Sequence, residues 1–205
     1  MKKPVPASEI YRLLYAHFGP RHWWPAASPF EVMVGAILTQ NTAWPNVEKA
    51  IANLKKKRAL SPRKLKHIPL RTLKTLIKPS GFYNEKAKKL KNFINFLMKT
   101  PQKKINREAL LKVKGIGQET ADSILLYALG KNVFVVDAYT KRIFSRHRLI
   151  PNNATYGQIQ EFFTRNLPKR RRLFNEYHAL IVEAGKNYCK KKKPLCKICP
   201  LRVVK

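Results

Sequence analysis

The sequence predicts an all-α protein, and three observations carry that reading. Apolar residues recur at i, i+3 and i+4 along most of the chain, while runs alternating with period two are few. Helix-start signals stand before several of those runs, with Ser28-Pro29 and Ser61-Pro62 the plainest. Stop and turn signals separate them, among them Gly19, Pro79-Ser80-Gly81 and Gly130. With 205 residues, 44% of them hydrophobic, the chain can bury a core as one compact unit or as two small lobes.

Ser8-Glu9-Ile10 opens the first helix, to about Phe18, with Ile10, Leu13, Leu14 and Phe18 on one face. The loop Arg21-His22-Trp23-Trp24-Pro25 follows, and two adjacent Trp in a loop serve either to close a core or as a stacking wall. Ser28-Pro29-Phe30-Glu31 is a capping box with Pro at the first helical position. The helix behind it is apolar nearly all round, which predicts a central, buried element. It ends in Gln40-Asn41-Thr42, with Trp44 just beyond.

Further helices are expected over 45–57, from Pro62, and over 70–77. Pro79-Ser80-Gly81 marks a turn; Asn84 is expected to cap a long basic amphipathic helix to about Lys99, leaving Phe82 on the loop. From the residues alone, Phe82 is either a core plug or an apolar ring held out for another use.

Asn106 is the N-cap of a short helix whose apolar face is Leu110, Leu111 and Val113. The turn Lys114-Gly115-Ile116-Gly117 comes next. Gly115 and Gly117 can take backbone angles closed to other residues, so this turn can present bare N–H groups at the start of the following helix. Such groups suit a phosphate oxygen. Leu125, Leu126 and Leu129 continue the apolar face to Gly130. After the apolar run 133–136, Asp137 stands where another helix begins, held ionised by the N–H groups and dipole it caps. Alone it would read as a cap; the Gly-x-Gly hairpin about twenty residues upstream makes a chemical role worth weighing. Segments 155–167 and 168–186 read as two more helices, packing with the N-terminal segment as a second lobe.

Charge narrows the partner. Lys and Arg number 43 against 11 Asp and Glu, a formal net charge of +32, and a field of that sign favours polyanions: DNA, RNA or an acidic membrane surface. The runs 55–58, 169–172 and 190–193 are each ordinary solvated faces; with the hairpin they favour nucleic acid. No stretch approaches the length of a membrane span, and residues 1–6 lack the apolar core of a signal peptide behind them, so an intracellular, cytoplasmic location is expected. Three cysteines near the C-terminus do not make a disulfide framework.

The stretch L-x-x-V-x-G-I-G-x-x-T-A-D, then V-x-V-V-D-A-Y-T-x-R, resembles the helix–hairpin–helix and catalytic Asp loop of the endonuclease III superfamily of DNA glycosylases. The run W-W-P-x-x-x-x-P-F-E-V-M-V-G-A-I-L-T-Q-N-T resembles that superfamily's 3-methyladenine DNA glycosylase branch. The resemblance implies a two-lobed helical glycosylase fold, with lobes 1–28 plus 148–205 and 29–147 and the hairpin over 106–130. It implies a base-binding cleft between such lobes. Asp137 would then be the catalytic carboxylate, with Trp23, Trp24, Pro25 and Trp44 lining the base pocket. Gln40 would sit at the DNA gap, and Lys114, Gly115, Ile116, Gly117 and Lys141 would contact the strand. Gly81-Phe82-Tyr83-Asn84-Glu85-Lys86-Ala87 matches the superfamily signature G-x-Y-N-x-K-A, whose variable apolar residue, here Phe82, wedges into the duplex.

Two departures shape the expected chemistry. Lyase members carry a Lys in the helix after the hairpin, where this chain has Glu119, so no Schiff base with the sugar and no strand cleavage are expected. The branch removing mispaired adenine has a central-helix glutamate where this chain has Gly35. With the expected tryptophan pocket and the resemblance to the 3-methyladenine branch, these imply a monofunctional glycosylase on double-stranded DNA with a damaged base, an N-alkylated purine such as 3-methyladenine; a monomer is expected. The alternatives are a uracil or thymine mismatch glycosylase and a non-catalytic DNA-binding module. Cys189-x6-Cys196-x2-Cys199 follows the superfamily's C-x6-C-x2-C-x5-C motif, implying a [4Fe–4S] cluster, but the fourth position is Lys205; a zinc site or a metal-free tail are the other readings.

Overall fold

Eleven α-helices and no strand occur among residues 5–204, the residues that the computed structural model describes. They fall into two compact units. One is Ala26–Leu129; the other joins the residues through Pro25 to those from Gly130 onward.

The Ala26–Leu129 unit is built around α2 (Pro29–Leu38), in which every residue from Glu31 to Leu38 is buried. Its start follows from local chemistry: the Ser28 hydroxyl accepts from the Glu31 N–H, and Pro29 sits where no amide hydrogen is needed. Its all-round apolar surface is then consumed by neighbours, each buried Val, Leu or Ile contributing roughly 1.5–3 kcal/mol. Around it pack α3 (Trp44–Lys56) and α6 (Tyr83–Lys99). Two shorter helices, α4 (Pro62–His67) and α5 (Leu70–Ile77), pack against α6. The helix–hairpin–helix is α7 (Arg107–Leu111) and α8 (Gln118–Ser123), and α8 runs on into a π-helical turn, Ile124–Ala128, which packs on α2. The two hairpin helices are locked by Arg107, whose Nε and Nη2 donate to the two oxygens of the fully buried Asp122 at 2.7 and 3.1 Å.

The other unit holds α1 (Ala7–Phe18), α9 (Ala138–Arg146), α10 (Tyr156–Asn166) and α11 (Arg171–Asn187). Its core is aromatic. Phe134 stacks on Phe163 at 3.8 Å between centroids, and Phe144, Phe174 and Tyr177 meet them edge-on. The buried Tyr177 hydroxyl donates to the Ala7 carbonyl at 2.7 Å, fastening α1 to α11.

Three expectations need correcting. The second boundary falls at 129/130, not 147/148, so Asp137 and α9 belong with the terminal segments. The reason is packing: α9 lies on α11, and Arg142 donates from Nε to the Cys189 carbonyl and from Nη2 to the Gly185 carbonyl. Asn84 does not cap α6; Phe82 occupies the cap position in the left-handed region (φ 44°), and Asn84 lies inside the first turn. Of the hairpin glycines only Gly115 has positive φ (98°), while Gly117 is extended, a conformation any residue adopts.

Candidate active site and nucleic-acid interface

Asp137 caps α9 as the sequence requires: Oδ1 accepts from the Thr140 N–H at 2.7 Å and from the Thr140 hydroxyl at 2.8 Å. The other oxygen, Oδ2, lies 3.6 Å from Nε2 of His178 on α11, and the two side chains are 11% and 9% exposed. Burial alone would raise this carboxyl. The His178 imidazole, as donor and as charge, and then the Thr140 amide and hydroxyl, more than offset that and hold it below the ordinary Asp value. The result is an ionised carboxylate with one oxygen saturated by its cap and one not used by the cap, at the edge of solvent.

Sequence reading missed His178. Its only mark is a histidine within the apolar turn Tyr177-His178-Ala179-Leu180, which any core histidine would leave.

The tryptophan loop belongs to the same unit. Trp23 and Trp24 are half-buried, 5.2 Å apart between centroids and tilted by 44°, and Pro25 is exposed. Helix α11 holds the loop: the Arg21 N–H donates to Glu176 at 2.5 Å, its guanidinium pairs with Glu183 at 3.7 Å, and the Lys186 ammonium lies 5.9 Å from the Trp23 ring. The Trp23 ring therefore stands beside Lys186 of the helix that carries His178, with Trp24 tilted against it. Lys141 is exposed on α9, and its ammonium donates to the Ala154 carbonyl at 3.0 Å.

The Ala26–Leu129 unit carries the remaining candidates. Gly115 turns the hairpin, and a Cβ there would strike the Lys89 side chain at 2.4 Å. A Cβ on Gly117 would meet nothing within 4 Å, so that backbone faces open space beside the first-turn amides of α8, which by helix geometry have no intrahelical acceptor. Lys114 is exposed and Ile116 is buried, with its own N–H donating to the Val113 carbonyl. Glu119 is exposed on the first turn of α8. Gln40, expected at the DNA gap, is a strut of the hairpin: its amide nitrogen donates to the Gly115 carbonyl and the Thr120 hydroxyl, and its oxygen accepts from Lys89. Trp44 is the half-buried first residue of α3. Phe82 is 69% exposed, so it is no core plug.

Behind Phe82 is a residue that sequence reading passed over. Lys86 is 1% exposed, and its ammonium donates to the Leu38 and Ser80 carbonyls, both at 2.7 Å, and to the Thr42 hydroxyl. It thereby holds the end of α2 and the turn before Phe82 on one point. Burial, with the Lys89 charge adding, lowers this ammonium to about 8.

The cysteine tail is held by arginines. Arg146 donates to the Lys190 and Lys191 carbonyls at 2.7 and 3.0 Å and to Cys189 Sγ at 3.3 Å. Cys199 is buried and Cys196 exposed; burial, with Cys189 and Cys196 nearby, pushes the Cys199 thiol up. Among the described residues no group of three His, Cys, Asp or Glu side chains is placed to hold a metal ion. Position 205 lies outside the described residues. No helix among the described residues is long and apolar enough to cross a membrane.

Comparison with known proteins gives the family and the fold. The family model for the HhH-GPD superfamily base excision DNA repair protein matches residues 34–169. A protein of Methanocaldococcus jannaschii, provisionally named DNA repair glycosylase MJ1434, is 50% identical over 95% of this chain and 93% of its own length. The H. pylori 3-methyladenine DNA glycosylase (MagIII) bound to 1,N6-ethenoadenine superposes with a TM-score of 0.80 at 32% identity, covering 89% of this chain and 98% of that one. A non-covalent endonuclease III–DNA complex has the same fold, with a TM-score of 0.84 at 22% identity over 96% of this chain and 92% of that one. With the family match spanning most of the chain, this protein belongs to the HhH-GPD superfamily of base excision DNA repair proteins and is a DNA glycosylase.

Proposed function

We propose that this glycosylase is monofunctional and hydrolyses the N-glycosidic bond of an N-alkylated purine, 3-methyladenine being the type. The observation that carries the proposal is Asp137, a carboxylate kept ionised with Oδ2 left over from its cap. With the base extruded from the duplex, breaking its glycosidic bond builds positive charge on the sugar, which an anionic oxygen stabilises. The same oxygen orients the attacking water and takes its proton. An N-alkylated purine is already cationic: the bonding pair leaves with it and neutralises it, so no acid on the base side is needed.

Pocket chemistry supports the substrate. Trp23 and Trp24 offer indole faces, with Pro25 beside them, and a cationic ring gains cation–π attraction there on top of stacking. The 32% identity to a glycosylase named for 3-methyladenine points the same way. We further propose Phe82 as the residue that enters the duplex, the hairpin residues Lys114 to Gly117 as the phosphate contact, and Trp44 as an aromatic contact to DNA from its own unit. With Glu119 where an amine would be needed, abasic DNA stays uncut.

The test is mass spectrometry of bases freed from methylated, oxidised and deaminated duplexes. The expected result is release of 3-methyladenine, abolished in Asp137→Asn while DNA affinity is kept, and no borohydride-trapped adduct. Release confined to uracil or thymine from mispairs, or a trapped adduct, would overturn the assignment.

A further inference from the structure

The role given to Asp137 leaves open what keeps a nearly buried carboxylate charged and aimed. Thr140 cannot do it alone, because its amide and hydroxyl both bind Oδ1. The second oxygen faces His178, and that meeting is built into how α9 lies on α11. Tyr139 packs so closely on Gly185 that a Cβ there would come 2.2 Å from the ring. Arg142 stacks on Tyr139 at 4.8 Å and donates to the carbonyls of Gly185 and Cys189. These contacts fix the register of the two helices about two to three turns from His178, so the Asp137–His178 separation is not free to drift.

We propose that His178 is the positioning residue of the glycosylase reaction, presenting an Nε2 proton to Oδ2 of Asp137 so that this oxygen stays anionic and directed outward. This rests on the reading of Asp137 as the acting carboxylate. At 3.6 Å the contact is longer than a good hydrogen bond, so the imidazole acts through its N–H dipole or charge across a near-dry gap. Oδ2 therefore keeps its lone pairs for the sugar and the water instead of spending them on a tight protein partner.

Other charged groups near this helix pair are engaged elsewhere. On α11, Glu176 accepts from the Arg21 amide, Glu183 pairs with the Arg21 and Lys186 side chains, and Lys186 stands over Trp23. On α9, Lys141 donates to Ala154, and Arg142 and Arg146 point to the cysteine tail. His178 is the titratable group facing Oδ2.

The experiment pairs a titration with a rate. The Asp137 carboxyl is followed by carbon NMR through acid pH in the wild type, His178→Ala and His178→Gln, and single-turnover base release is measured over the same range. In His178→Ala the carboxyl is expected to titrate at least about one pH unit higher, since burial is then opposed only by Thr140. The acidic limb of the rate should move with it, and the maximal rate should fall roughly tenfold or more with little change in DNA affinity. His178→Gln, which keeps an N–H donor, should recover most of both. An unmoved Asp137 titration in a folded His178→Ala protein would overturn the inference. If the wild type frees no base from any duplex while the NMR shift is seen, the assigned reaction fails and the coupling of the two groups stands.

Discussion

At the scale of single residues, Asp137 and His178 behave oppositely. Asp137 could be recognised from sequence because capping is local: the cap is decided by its own N–H neighbours three residues on. His178 could not, because its partner is 41 positions away and only the packing of α9 on α11 brings them together. Gly185 is equally silent in the sequence, yet the Tyr139 ring occupies the space a methyl group would need. Gly185→Ala is therefore expected to lower stability by about 1–3 kcal/mol by forcing the helices apart. It should also depress base release, since Asp137 rides on the displaced helix; denaturant unfolding and single-turnover rates check the two effects. An alanine variant with unchanged unfolding would mean that the ring has room to move.

At the scale of elements, the hairpin and the Phe82 turn show what a motif carries and what it leaves out. The motif located the hairpin turn and the first-turn amides of α8 beside it. It did not show that the Gln40 amide braces Gly115 and Thr120, residues 75 and 80 positions further along the chain. Phe82 is held out by its left-handed backbone at the start of α6 and by the Lys86 clamp behind it. Phe82→Ala should leave folding stability within about 0.5 kcal/mol, because the ring is solvated. Base release from duplex DNA should fall more than release from a single strand, where no unstacking is required; equal losses on the two substrates would remove Phe82 from the flipping step.

The Lys86 clamp has a pH signature. Its ammonium titrates near 8 in the folded chain against 10.5 when unfolded. Between those values the unfolded chain binds a proton that the folded chain does not, so this group makes stability rise with pH across the window. Measured against Lys86→Met, in which every other lysine still titrates, wild-type stability should gain as pH goes from 8 to 10.5. Parallel curves would mean that the clamp stays charged throughout.

At the scale of the whole molecule, the +32 charge governs affinity more than specificity. Each phosphate neutralised adds about 0.9 to the slope of log affinity against log salt, so binding should weaken by roughly a thousandfold or more between 50 and 200 mM salt. The same slope is expected for damaged and undamaged duplexes and for Asp137→Asn; filter binding or anisotropy across salt reads it. A shallow slope would mean that most of the basic surface never meets the strand.

Legible in the chain were the helices, the caps at Ser28, Ser61, Asn106 and Asp137, the hairpin and the preference for a polyanion. All of these rest on periodicity, composition or contacts within four residues, which the chain states locally. Packing alone sets α9 with the terminal segments, turns His178 to Oδ2, and gathers the end of α2 and the turn before Phe82 on the Lys86 ammonium. It also decides that Arg146 holds the cysteine loop through the Lys190 and Lys191 carbonyls. Each of those depends on residues far apart in the chain arriving within a few ångströms, and that is set by how buried faces interdigitate, not by any short pattern of residue types.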